Sequence, residues 1–279
     1  VGWVALPQKA LTKGATLIAL KSGVSQQSQA AAVSHTASLT GSDTGADAFL
    51  QRLGIRRARS LPVFLESLKL AHQFGPLSSN RIASISCSGG EAALAADTAQ
   101  GTGLIFPPLN PRQAKDLSAA LGPMVAMANP LDYHTYIWRD QAAMTQAWAA
   151  MADDEIAMTL LVSDYPRADL CDASDWECVT QAAIEATRRT GRPFAVVASL
   201  AELLPEQTAK TLMDHGVGAI HGLDHGLEAL DVMSRPMAPP AEPVLLPGID
   251  RDAELLDEQS AKLALAAHGL TIPPSVVVT

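Results

Sequence analysis

Apolar and polar positions change rhythm along the chain. From Arg81 onward, short continuous apolar runs alternate with amphipathic stretches. Ile82-Ala83-Ser84-Ile85-Ser86 reads as a buried strand, followed by a helix over Glu91 to Gln100 that Gly101 closes. Asn110-Pro111 supplies an N-cap and a first helical residue for a helix ending near Leu121. Ile156 to Val162 is a second buried run. Ser174-Asp175-Trp176-Glu177 has the spacing of a capping box and predicts a helix from there to Gly191. A strand over Phe194 to Ala198, a helix over Pro205 to His215 and a strand over Val217 to Ile220 follow, with Asp224 placed to cap a last helix. This alternation predicts parallel strands in a doubly wound α/β domain.

The stretch from Ala15 to Gly75 has the same style on a smaller scale. Leu17 to Leu20 reads as a strand. Asp43 to Leu53 reads as a helix with Phe49, Leu50 and Leu53 on one face, and Ser60 caps another with Leu61, Phe64, Leu65 and Leu68 inward. With at best one more short strand near Ile55, this makes a poor sheet, as expected of the end of a second, truncated α/β unit. Five prolines between residues 236 and 247 read as an extended linker. Beyond it, Leu255, Leu256, Leu263 and Leu265 fall in a predicted helix ending at His268-Gly269, and Ile272 to Val278 opens a strand.

The 279 residues suit about two domains. Net charge is −9 and the pI about 5.2, with no basic stripe, so the expectation is against a nucleic-acid or anionic-membrane partner. No apolar run reaches membrane-spanning length. Cys87, Cys171 and Cys178 lack disulfide-framework or zinc spacing and read as reduced thiols of a cytoplasmic protein. His221 and His225 are separated by Gly222 and Asp224, which argues for a strand–turn–helix junction over a metal pair; no metal site is expected.

Three segments carry candidate chemistry. His35 lies in Ser34-His35-Thr36-Ala37-Ser38-Leu39-Thr40-Gly41-Ser42-Asp43, an uncharged, small-residue segment read as a loop. An imidazole there is a neutral nucleophile that a loop could swing between sites, or a plain surface histidine. Ser86-Cys87-Ser88-Gly89-Gly90-Glu91 joins a strand to a helix. Without side chains at Gly89 and Gly90, backbone amides at the helix start can approach an anion, although a Gly-Gly turn is often only a turn. It matches neither nucleotide-binding fingerprint. Asn129-Pro130-Leu131-Asp132 can shape a ligand edge at a strand end or serve as turn and cap chemistry.

Together, Lys21-Ser22-Gly23-Val24-Ser25, Ser34-His35-Thr36, Gly41-Ser42-Asp43, Ser88-Gly89-Gly90 with Leu94-Ala95-Ala96-Asp97, and Asn129-Pro130-Leu131-Asp132 resemble the NDP-forming acyl-CoA synthetases, relatives of succinyl-CoA synthetase. The match in order and spacing spans about residues 15–235. The resemblance implies flavodoxin-like parallel sheets. It assigns 1–75 to the C-terminal part of a first CoA-ligase domain, 80–236 to a second, and 237–279 to a linker and the start of an ATP-grasp domain. It implies a ligase that makes acyl-CoA and ADP from a carboxylate, CoA and ATP through an acyl phosphate. CoA and Mg-ATP would be held mainly by a CoA-binding domain and an ATP-grasp domain beyond this segment, so the segment alone is expected to be inactive. A homodimer is a further expectation.

By the same resemblance His35 is the phosphoryl carrier, and Ser88, Gly89 and Gly90 form one of the helix starts that hold the phosphate. Ser34, Thr36, Glu91, Asn129 and Asp132 stand as supporting residues. Ala37 and Val24 replace a usual glycine and a common arginine, and Glu91-Ala92-Ala93 a more glycine-rich stretch. Glu91 could orient an imidazole or repel a phosphate. The second reading is a non-catalytic, ligand-sensing module fused to another domain such as an acetyltransferase. Retention of His35 argues against it.

Overall fold

The first element is one that the hydrophobic pattern does not announce: α1 (Gly2–Thr12), with Pro7 inside it and Ala10 buried. It leads to β1 (Ile18–Leu20), α2 (Gln26–Thr36), α3 (Asp43–Arg52), β2 (Arg56–Ala58) and α4 (Leu61–Phe74). Next come β3 (Ile82–Ser86), α5 (Gly89–Thr98), α6 (Pro111–Leu121), β4 (Leu131–Asp132) and α7 (Gln141–Met151). β5 (Met158–Val162), α8 (Glu177–Thr190), β6 (Phe194–Ala198), α9 (Glu206–Asp214), β7 (Gly218–His221) and α10 (Leu223–Ser234) complete the unit Val1–Ala241. A separate unit, Glu242–Thr279, contains α11 (Glu258–Ala267). The computed structural model describes residues 2–36, 41–236 and 255–274. Among the described residues no helix is long and apolar enough to cross a membrane.

All strand pairs are parallel. β1 and β2 form a small sheet with Ile18 opposite Arg56. The other five strands follow the order β4-β3-β5-β6-β7. Counted within that sheet the order is 2-1-3-4-5, the flavodoxin-like arrangement, whose topological switch point lies at the carboxyl ends of β3 and β5. Every residue of β3, β5 and β6 is buried, which explains their uninterrupted apolar runs. One face is filled by Leu117, Met144, Trp148, Met151 and Leu212 from α6, α7 and α9. The other is filled by Val63 and Leu70 of α4, Ala95 of α5, and Leu227, Leu230 and Met233 of α10. α4 therefore shares the core of the larger sheet. Buried Arg56 ties the smaller sheet to the end of α10, where its Nη1 donates to the carbonyls of Val232 (2.6 Å) and Arg235 (2.7 Å).

Several expectations need correction. On α4 the buried residues are Val63, Glu66, Ser67 and Leu70, while Leu61, Leu65 and Leu68 are 58%, 51% and 41% exposed. The helix is apolar nearly all round, so periodicity alone offered two faces, and β7 and α10 cover the other one. On α3, Leu50 is buried and Leu53 follows it, but Phe49 is exposed. Ser174 forms no capping box. Residues 174–176 make a single 3-10 turn, α8 starts at Glu177 without a side-chain cap, and the Ser174 N–H donates to Asp172 Oδ1 at 2.9 Å. Nor does Asp224 cap α10. Gly222 holds that position at φ 91°, a conformation that disfavours side chains. The expected caps of Ser60 and Asn110 are present, the latter as a full capping box with Gln113.

In the second unit, Asp257 caps α11 by accepting from Ser260 N–H at 2.8 Å, so Leu255 and Leu256 precede the helix. Residues 237–247 of the expected linker and 275–278 of the expected strand lie outside the described residues.

Candidate functional site

The residues that leave β3 and β5 meet at the switch point of the larger sheet. Ser86 ends β3 and its Oγ donates to the Ser88 carbonyl at 3.0 Å, which turns the chain into α5. Ser88 is the N-cap: its Oγ accepts the Glu91 N–H (3.2 Å) and donates to Glu91 Oε2 (3.2 Å). The Ala92 N–H goes to the Ser88 carbonyl. The amides of Gly89 and Gly90 are left without an acceptor among the described residues, on an exposed helix start. α5 thus begins two residues earlier than its polar pattern suggests, because the glycines themselves form its first turn. Two free amides on a helix dipole can accept an anion.

Its neighbours are acidic. A Cβ on Gly89 would stand 3.2 Å from Asp132 Oδ2, so the carboxylate at the end of β4 lies directly against the first residue of α5. Glu91 has a raised pKa, chiefly from burial and also from the negative charge of Asp164. Asp164 follows β5 and is fixed by Ser199, whose N–H (2.6 Å) and Oγ (2.5 Å) donate to it. Among the described residues no Lys or Arg pairs with Glu91, Asp132 or Asp164. Cys87 points its thiol at Glu91 Oε2 (3.8 Å) and is pushed up to about 11 by burial and by that carboxylate, so it is no nucleophile near neutral pH. No three His, Cys, Asp or Glu side chains among the described residues converge as a metal would require.

The structure brings Ser88, Gly89, Gly90, Glu91 and Asp132 together. Asn129 stands apart with a different task. Its Oδ1 accepts the Ser84 N–H (3.1 Å), and its Nδ2 donates to the carbonyls of Ile82 (3.1 Å) and Pro107 (3.0 Å). Ser84 N–H and Ile82 C=O are the two groups that a parallel neighbour of β3 would engage, and β4 is only two residues long. The Asn129 amide stands in for the missing strand.

His35 sits on the last turn of α2, where a loop was expected. The reason is visible in Gln26-Gln27-Ser28-Gln29-Ala30-Ala31-Ala32, a run of good helix formers. Ser34 is exposed and donates back to the Ala31 carbonyl at 2.9 Å. The side chains of His35 and Thr36 and the whole of 37–40 lie outside the described residues. Sequence reasoning missed Asp164 and His134. The polar pair Ser163-Asp164 directly after an apolar run flags the first, and the Asp132-x-His134 spacing at the end of β4 flags the second.

Residues 6–71 match the family described as succinyl-CoA ligase like flavodoxin domain. Over 126 residues the chain is 36% identical to the ADP-forming acetate–CoA ligase II subunit alpha of Pyrococcus furiosus, covering 44% of this chain and 27% of that protein. Over these stretches the chain is similar to a succinyl-CoA ligase like flavodoxin domain and to ADP-forming acetate–CoA ligases. A second relative, the ADP-forming acetate–CoA ligase of Methanocaldococcus jannaschii, is 34% identical over 124 residues, covering 44% of this chain and 18% of that protein. The matched stretch is therefore a minor part of either ligase. The fold is shared with the dinucleotide-forming acetyl-coenzyme A synthetase 1 of Ca. Korarchaeum cryptofilum, solved with phosphate and ADP, at TM-score 0.67 and 16% identity over 83% of this chain and 49% of that one.

Proposed function

We propose that this chain is the central part of an acid–thiol ligase that converts a carboxylate, CoA and ATP into acyl-CoA, ADP and phosphate. His35 is the group that carries the phosphoryl. An imidazole nitrogen of His35 attacks the terminal phosphorus of ATP and ADP leaves. The carboxylate then takes the phosphoryl from His35 as an acyl phosphate, and the CoA thiol displaces phosphate from it. The observation that supports this reading most is the Ser88-capped start of α5, with two free glycine amides at the switch point of a 2-1-3-4-5 sheet. Fixed amide dipoles hold a phosphoryl oxygen without reorganising during transfer.

In this reading residues 1–75 end one CoA-ligase domain, 80–236 form the second, and 237–279 lead into an ATP-grasp domain. CoA and Mg-ATP bind as substrates, mainly on parts of the enzyme outside this segment, which alone turns nothing over. The cytoplasm is the compartment where those substrates are supplied, and pairing of two copies remains part of the proposal.

The test is acid-labile labelling of the full-length protein from [γ-32P]ATP. Wild type is expected to take up the label and His35→Asn to lose it together with acyl-CoA formation. Undiminished labelling of the variant would assign the carrier role elsewhere. A wild-type protein that never labels and makes no acyl-CoA would favour the ligand-sensing module.

A further inference from the structure

At the amino ends of β1 and β2 a cavity of about 410 Å³ opens between α1, the smaller sheet and the end of α10. That volume is common for small-ligand pockets. None of its lining residues belongs to the turn into α5 or to the ends of β4 and β5, so it is separate from the candidate phosphate site. Much of its wall is apolar, with Ala10 and Leu11 of α1 and with Leu17, Leu53 and Leu77. Into this wall is set Arg56, only 7% exposed.

A buried guanidinium is ordinarily met by a carboxylate, because an unpaired charge in an apolar interior is costly. Arg57, next in the chain and buried to a similar extent, is met by Asp43 and Asp47. Arg235, which also lines the cavity, is met by Asp231. Among the described residues no Asp or Glu lies within ion-pair distance of Arg56. Its Nη1 serves the carbonyls of Val232 and Arg235, while Nε and Nη2 have no partner among the described residues and are not sealed off from the cavity. Those two N–H groups share one edge of the guanidinium, side by side, at the spacing of the two oxygens of a carboxylate.

We propose that this cavity is a binding site for a small amphipathic carboxylate, whose oxygens pair side-on with Arg56 Nε and Nη2 and whose apolar body lies against Leu17, Leu53 and Leu77. The apolar wall selects against inorganic phosphate, which would have to shed its water against hydrocarbon. The guanidinium supplies what a neutral alcohol of the same length cannot use. Because Arg56 also clasps the end of α10, the bound anion neutralises the charge at the join between the two sheets and tightens it. The site takes no part in the chemistry proposed for His35 and stands or falls apart from it.

The experiment is calorimetric titration of the full-length protein with hexanoate, 1-hexanol and inorganic phosphate, for wild type, Arg56→Lys and Ala10→Leu, with a thermal melt of each. Arg56→Lys keeps the charge but loses the side-on pair. Ala10→Leu narrows the cavity and leaves Arg56 in place, so it decides the matter if Arg56→Lys melts early. Hexanoate is expected to bind wild type and to weaken about tenfold in either variant, as for loss of a charge-assisted pair or of the space it needs. Hexanoate held as a substrate at the α5 end would keep its affinity in both. Unchanged affinity in Ala10→Leu, or in an Arg56→Lys protein that melts like wild type, therefore overturns the assignment. So does a wild-type protein that takes no hexanoate at millimolar concentration, or one that takes hexanol or phosphate equally well.

Discussion

Replacing Asn129 by Ala gives the most direct measure of how the larger sheet is finished on the β4 side. The Asn129 side chain makes three hydrogen bonds, to Ser84 N–H and to the carbonyls of Ile82 and Pro107, all at 3.0–3.1 Å. Ser84 and Ile82 are fully buried, so water does not readily replace the lost partner. At about 1 kcal/mol net for each bond, and more for a buried amide left without an acceptor, the loss is about 3 kcal/mol. For a unit of this size that corresponds to a fall of about 6–12 °C in the melting midpoint. Asn129→Asp sharpens the test. It keeps an acceptor for Ser84 but sets a carboxylate oxygen against two carbonyls, and should cost at least as much as Ala. The assay is urea unfolding followed by circular dichroism, with a thermal scan alongside. A loss below about 1 kcal/mol for Ala would refute the claim that this amide substitutes for a strand.

Two further outcomes follow from the acidic surroundings of α5. Glu91→Gln keeps the hydrogen-bonding shape but removes the charge. Because burial raises the Glu91 pKa, the fold bears a cost only where the carboxyl ionises, above its unfolded value of about 4.3. The variant should unfold later than wild type near pH 7 and match it near pH 4, as read by melts across that range; equal midpoints at both pH values contradict the assignment. Cys87, with its pKa pushed up to about 11, should resist iodoacetamide at pH 8 in the native protein, while exposed Cys171 is modified, as peptide mass mapping reports. Equal modification of both thiols would count against the burial described.

The larger sheet was legible because its central strands are buried on both faces, and Ile82–Ser86, Ile156–Val162 and Phe194–Ala198 therefore stand out as apolar runs bounded by turn residues. Helices with side-chain caps at Ser60 and Asn110 were equally visible. α2 was not, since its Gln- and Ala-rich sequence carries no amphipathic stripe and its helicity comes from propensity alone. The inward face of α4 depended on which neighbours cover it, information that lies about 150 residues away in β7 and α10. The same holds at the site. The Gly-Gly helix start could be read from a local motif, but the approach of Asp132 and Asp164 to it is set by strand order. Asn129 looked like a ligand-edge residue because its role is defined only by the two-residue length of β4.

The Arg56 clamp has a kinetic implication. Its guanidinium is buried and holds two carbonyls at the last turn of α10 and just beyond, and burial lowers its pKa without displacing the charge near neutral pH. The two sheets are therefore riveted rather than hinged, and pivoting one on the other would strand a cation in an apolar interior. Under the proposed carrier role, an excursion of His35 toward a nucleotide would have to begin beyond this rivet, in α2, with the rest of the unit serving as a fixed anvil.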